Sequence, residues 1–161
     1  MINQLIQVIG QEARLFEEFL DLLDRQKQLL VANNVAGLNE VTALQQHKLN
    51  ESRRLHRLRE QLIADIKEAN AVDGDLTVAR LLEFADDDQA QRLRRLRETI
   101  LSLNDSITEV RNTNAMLLNR SREYIARTMS MLSRINHPDD TYGKCGAPGN
   151  VNASVSVDRR I

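Results

Sequence analysis

QAQRLRRLRETILSLNDSITEVRNTNAMLLNRSREYIARTMSMLSRI, residues 89–135, decides the fold class. In it Leu93, Leu96, Ile100, Leu103, Ile107, Val110, Asn114, Leu117, Ser121, Tyr124, Thr128, Met131 and Ile135 recur at alternating three- and four-residue steps without a phase slip. A helix turns every 3.6 residues, so these positions share one stripe that another helix has to cover. Asp86-Asp87-Asp88 places carboxylates where the free amides of the first turn need acceptors, and His137-Pro138-Asp139-Asp140 ends the helix. The stripe has two halves. One heptad position reads Leu93, Ile100, Ile107 and then Asn114, Ser121, Thr128. Past that change the apolar stripe moves one residue over, to Leu118, Ile125 and Leu132, as a straight helix drifts against a seven-residue repeat. Asn114 is read as the polar residue that sets the register at this boundary.

Upstream, Ile2, Leu5, Ile9, Phe16, Phe19, Leu23 and Leu30 predict a first helix from Ile2 to about Val31, with Glu12 and Gln26 breaking its seam. Asn33-Asn34-Val35-Ala36-Gly37 reads as a short connection, so the second helix, from about Leu38 to Asn70, must lie antiparallel to the first. Its predicted seam is Val41, Leu44, Leu55, Leu58, Leu62 and Ala69, interrupted by Lys48, Glu51 and Asp65. After a break at Ala71-Val72-Asp73-Gly74-Asp75, Leu76 to Ala85 predicts a short third helix. From Asp139 onward the residues are Gly, Ser, Asn, Asp and Val, too poor in apolar area to offset the cost of ordering, and a flexible tail is expected. Within it stand a lone aromatic in Thr141-Tyr142-Gly143 and an alternation of Val151, Ala153, Val155 and Val157 that suits an edge strand on a partner. The expected fold class is therefore all-α: an elongated antiparallel helical bundle or coiled coil of three long helices plus one short helix over residues 1–138, followed by a flexible C-terminal tail, 139–161.

At 1.5 Å per residue the first two helices span roughly 45–50 Å and the last roughly 70 Å, which leaves on the order of 15 residues of the last helix without an intramolecular partner. The short helix is the one element able to cover that excess. Met116, Met129 and Met131 concentrate in the same region. They suit either an ordinary core or a face that adapts to partners.

Composition narrows the function. Aromatics are 3% of 161 residues and Trp is absent, so the core is a thin seam of Leu, Ile and Val. A net charge of −1 argues against bulk attraction to nucleic acid or to acidic membrane surfaces. The absence of a long apolar span and of a leader-like start leads to the expectation of a cytoplasmic chain without membrane insertion. His47, His56 and His137 lack metal-ligand spacing, and Cys145 sits alone between Lys144 and Gly146. No enzymatic activity, cofactor or metal is expected. The basic runs Arg53–Arg59 and Arg92–Arg97 carry Leu at seam positions and no interleaved aromatics. They are read as flanks of a helix contact, paired with Glu12, Glu17, Glu18 and Asp21 on a neighbouring helix, and no nucleic acid is expected as a partner.

The segment Asn112-Thr113-Asn114-Ala115-Met116-Leu117-Leu118-Asn119-Arg120-Ser121-Arg122-Glu123-Tyr124, preceded by two helices with a Leu44-x-x-x-Lys48-Leu49 stretch and followed by Thr141-Tyr142-Gly143 and a small-residue tail, resembles the FlgN family of flagellar type III export chaperones. The family usually pairs two asparagines three residues apart, whereas here that position before Asn114 is Arg111. The resemblance implies a cytosolic chaperone that binds hook-filament junction proteins (FlgK/FlgL-like) and delivers them to the flagellar export gate. It places cargo on the end of the last helix, here Leu117, Leu118, Tyr124, Ile125, Met131 and Leu132, and gate docking on Tyr142. The alternative is a structural or adaptor coiled coil that self-associates through the last helix as a homodimer.

Overall fold

The structure, a computed structural model, describes residues 1–136. Four helices follow one another: α1 (Ile2–Val31), α2 (Val35–Ala69), α3 (Val78–Glu83) and α4 (Asp87–Asn136), with no strand among the described residues. The chain is all-α, with three long helices and one short one. It divides into two units, Met1–Tyr124 and Ile125–Ile161. Tyr142, Cys145 and the Val151–Val157 alternation lie outside the described residues.

Backbone hydrogen bonding explains where the helices stop. Asn33 takes a left-handed φ of 52° after α1, so that its N–H donates to Leu30 O at 3.2 Å and the Asn34 N–H donates to Leu29 O at 3.0 Å. This closes the last turn on itself. Asn34 at once caps α2, its Oδ1 accepting from the Gly37 N–H at 3.0 Å. Helix α2 thus begins at Val35, three residues earlier than the expected Leu38, because an asparagine able to cap outweighs the weak helix formers after it. A Cβ on Gly37 would meet Leu29 Cδ2 at 2.6 Å, so glycine permits this tight entry. The same terminal geometry ends α2 at Ala71, φ 49°, with Val72 N–H donating to Lys67 O at 3.0 Å. Thr77 caps α3 through Arg80 N–H at 3.3 Å, which trims that helix to Val78–Glu83 from the expected Leu76–Ala85. Asp86 and Gln89 form a reciprocal cap on α4: Asp86 Oδ1 accepts from Gln89 N–H at 2.8 Å, and Gln89 Oε1 accepts from Asp86 N–H at 3.2 Å.

Helices α1 and α2 are antiparallel close neighbours, as the short connection requires, but α2 presents a different stripe from the expected one. Val41, Gln45, Lys48, Ser52, Leu55, Arg59, Leu62 and Ile66 hold alternating four- and three-residue steps and are all buried or half-buried. Leu44 and Leu58, expected on the seam, are 47% and 45% exposed. The reason lies across the interface. Gln45 meets Gln26, whose Nε2 donates to Gln45 Oε1 at 3.4 Å, and Lys48 pairs with Glu18. Arg59 meets Glu12, Nη1 to Oε2 3.1 Å. Polar residues that interrupt the seam of α1 are answered by polar residues on α2, and a desolvated carboxylate or amide makes this register preferable to one that buries two more leucines against them.

The apolar core is concentrated at one end of the first unit, where Leu5 and Ile6 of α1, Ile66 of α2, Leu81 of α3 and Leu93 of α4 pack together. Helix α4 runs parallel to α1, since Gln89 bonds Asn3 (3.1 Å), Leu93 packs with Leu5, and Asn114 bonds the Leu23 carbonyl.

The two registers of α2 predict opposite outcomes at neighbouring leucines. Leu55→Ala should lower unfolding free energy by about 2–5 kcal/mol in urea titrations, and Leu58→Ala by no more than about 0.5 kcal/mol. Equal losses at both positions would contradict the observed seam.

Candidate functional site

Burial along α4 declines in sequence order. Ala90 and Leu93 are buried, and Leu96, Ile100, Leu103, Ile107 and Val110 are half-buried. Asn114, 5% exposed, is the last buried position of α4 among the described residues whose burial is known. Its Nδ2 donates to Leu23 O at 2.8 Å and to Gln26 Oε1 at 3.0 Å. Since Gln26 donates in turn to Gln45, an amide relay crosses three helices at one level. Asn114 Oδ1 and Gln45 Nε2 are buried without a partner. Such a layer adds little net stability; what it does is oppose any sliding of α4 that would strand its amides among leucines.

Beyond Asn114 the first unit ends with Leu117 and Ser121 half-buried and with Met116, Leu118 and Tyr124 exposed. Ile125, Met129, Met131 and Leu132 of the second unit are exposed, Ile125 by 58% and Met131 by 65%. Every residue from Arg122 to Arg134 is exposed, although Ile125, Met129, Met131 and Leu132 are large and apolar. The methionines therefore belong to a surface and not to a core. The short helix is committed elsewhere in the first unit, its Leu81 packing in the core beside Leu93, where α4 begins. An amphipathic face without an intramolecular cover is the feature on α4 most suited to receiving another helix.

A second polar constellation lies further toward the core. Glu12, with 7% of its side chain exposed, accepts from Arg59, whose Nη2 lies 2.9 Å from His56 Nδ1; His56 Nε2 reaches Glu60 at 3.3 Å. Pairing of Glu12 with the Arg53–Arg59 run was expected from the sequence, and Arg59, on the buried stripe of α2, is the residue of that run that makes it. Of the other expected acidic partners, Glu18 takes Lys48, while Glu17 and Asp21 form no ion pair among the described residues. The second basic run departs further from expectation: Arg92 pairs within its own helix with Asp88, 3.7 Å away, because both stand on an exposed face. No group of His, Cys, Asp and Glu suited to a metal ion, and no helix long and apolar enough to cross a membrane, occurs among the described residues.

Burial pushes the Glu12 carboxyl above its ordinary value of 4.5, and the charges of Arg59 and His56 only partly oppose that rise. The folded chain then holds this proton more tightly than the unfolded chain, so its contribution to stability is present at low pH and falls as pH rises from 4.5 through the folded value. Glu12→Gln should gain stability relative to the native chain as pH is raised from about 4 to about 7, read by urea denaturation. A difference that stays constant with pH would refute the assignment.

A family model described as FlgN protein covers residues 1–149, nearly the whole chain. No curated protein and no solved structure matches it. The chain belongs to the FlgN family and is a flagellar export chaperone.

Proposed function

We propose that this protein is a cytoplasmic chaperone that binds the hook-filament junction proteins and delivers them to the flagellar type III export apparatus, with α4 beyond Asn114 as its cargo-binding element. The observation that supports this reading is the run of exposed apolar residues on that part of α4: Leu118 and Tyr124 before the unit boundary, and Ile125, Met131 and Leu132 after it. Leu117, half-buried at the edge of the seam, belongs to the same element. An export cargo with adhesive terminal helices needs those faces covered before secretion, and an amphipathic helix covers them by extending a seam. Each fully covered Leu or Ile contributes about 1.5–3 kcal/mol, so a few such residues suffice for tight but reversible capture. Asn114 then separates two duties, since the α4 seam before it is occupied within the first unit. The work is binding and transfer, with no catalytic step, cofactor or metal, and Tyr142 is the residue proposed to dock on the export gate.

The double substitution Ile125→Asp with Leu132→Asp places carboxylates on this face. Circular dichroism should show unchanged helicity, while calorimetry with a purified junction protein should show binding weakened by about a hundredfold or more, the equivalent of about 2.7 kcal/mol. Unchanged affinity would sink the proposal. If sedimentation instead shows a tight homodimer that dissociates in the double variant, the surface serves self-association. For the tail, Tyr142→Ala should leave junction-protein affinity untouched and reduce filament assembly, scored by motility on soft agar. Normal motility would count against the docking role.

A further inference from the structure

The first unit contains a second uncovered place, between α2 and α4. Helices α1, α2 and α4 leave a groove between α2 and α4 over one face of α1, the place a fourth helix takes in a closed bundle. Its floor is Phe16 and Phe19 of α1, and its walls are Leu49 and Ser52 of α2 and Asn104 and Ile107 of α4. It continues past Phe16 and Ser52 into a hollow of about 300 Å³ bounded by His56, Arg59 and Ile100. Leu49 on the α2 wall is 43% exposed.

Charge distinguishes the rim of this groove. Arg53 lines it from α2 and bonds only the neutral Asn50, at 3.4 Å. Arg97 and Arg111 stand one heptad before and after Asn104, hence on the groove side of α4, both exposed and in no ion pair among the described residues. The acids of this stretch of α4, Glu98, Asp105 and Glu109, fall on the opposite side of that helix by the same periodicity. The acid that lines the hollow is Glu12 of α1, already paired with Arg59, while Arg53 is left without a carboxylate. An aromatic and aliphatic floor between unneutralised arginines on both walls has the complement of an acidic amphipathic helix: apolar stripe down, carboxylates to either side. Arg97 to Arg111 spans about 21 Å along α4, which sets the occupant at about four helical turns.

We propose that the α2–α4 groove is a docking site for an acidic amphipathic helix of a partner protein. It is a site separate from the cargo surface, since all of its residues lie before Asn114. A helix seated there would convert the first unit into a closed four-helix bundle and cover Leu49, Phe16 and Phe19. The proposal does not depend on the cargo reading, and the two can fail independently.

The test uses the full chain and two fluorescein-labelled synthetic peptides of about 18 residues, identical in their leucine stripe and flanked by Glu in one and by Lys in the other. Fluorescence anisotropy should show the Glu peptide binding about tenfold more tightly than the Lys peptide. Arg97→Glu with Arg111→Glu, both at exposed positions, should reverse that preference, and the Ile125→Asp, Leu132→Asp chain should bind the Glu peptide as the native chain does. Equal affinity for the two peptides, or charge reversal without effect, would overturn the proposal. So would a native chain that sediments as a dimer and becomes monomeric on Leu49→Asp, because the occupant would then be a second copy. Steeply salt-dependent binding of a DNA duplex that competes off the peptide would overturn it as well.

Discussion

Carboxylates and amides withdrawn from water must find partners where they come to rest, and in this bundle that requirement governs everything built on α1. Glu12 and Gln26 point from one helix at two levels, and the register of α2 brings Arg59 and Gln45 opposite them, with exposed Glu18 and half-buried Lys48 adding a pair between. Apolar burial alone would have favoured another face of α2, since Leu44 and Leu58 are there to be used. The polar pairs add modest stability. Their effect is to make every competing register worse.

Placing α2 in this way determines what α4 meets. At the core end it finds Leu5, Ile6, Ile66 and Leu81 and packs by ordinary apolar contact. Further along, contact thins to half-buried residues until Asn114 engages Leu23 and Gln26. Along α4 the surroundings change from dry core to amide relay to exposed helix. On the proposed cargo-binding role, such a gradient is useful, because the residues offered to a partner owe nothing to the stability of the fold.

The open groove and the uncovered end of α4 differ in chemistry as well as in position. The groove has aromatic residues for a floor and arginines on both walls, whereas the end of α4 offers methionine, leucine and isoleucine on a single helix. Rigid charged walls select a partner by charge, and flexible thioethers accept variation in shape. A chaperone that has to hold cargo and also be handled by other components has use for both kinds of surface.

By itself the sequence determined the class: helices, their number and order, the heptad stripe from Leu93 onward and the change of character at Asn114 are all local consequences of a 3.6-residue turn. Helix ends were legible to within a few residues, and Asn34 and Thr77 moved them because capping depends on one side-chain hydrogen bond that periodicity does not see. The amphipathic pattern of the α4 end was legible too, whereas its methionines suited a core as well as a surface until their exposure decided it. What only the tertiary structure decided was the inward face of α2, the committed position of α3 and the existence of the groove. Gln45, Lys48, Ser52 and Arg59 look like surface residues when each is judged by its own hydrophobicity. They are interior because of what stands across from them, and the identity of an opposite neighbour is a property of the packed bundle that no single helix carries.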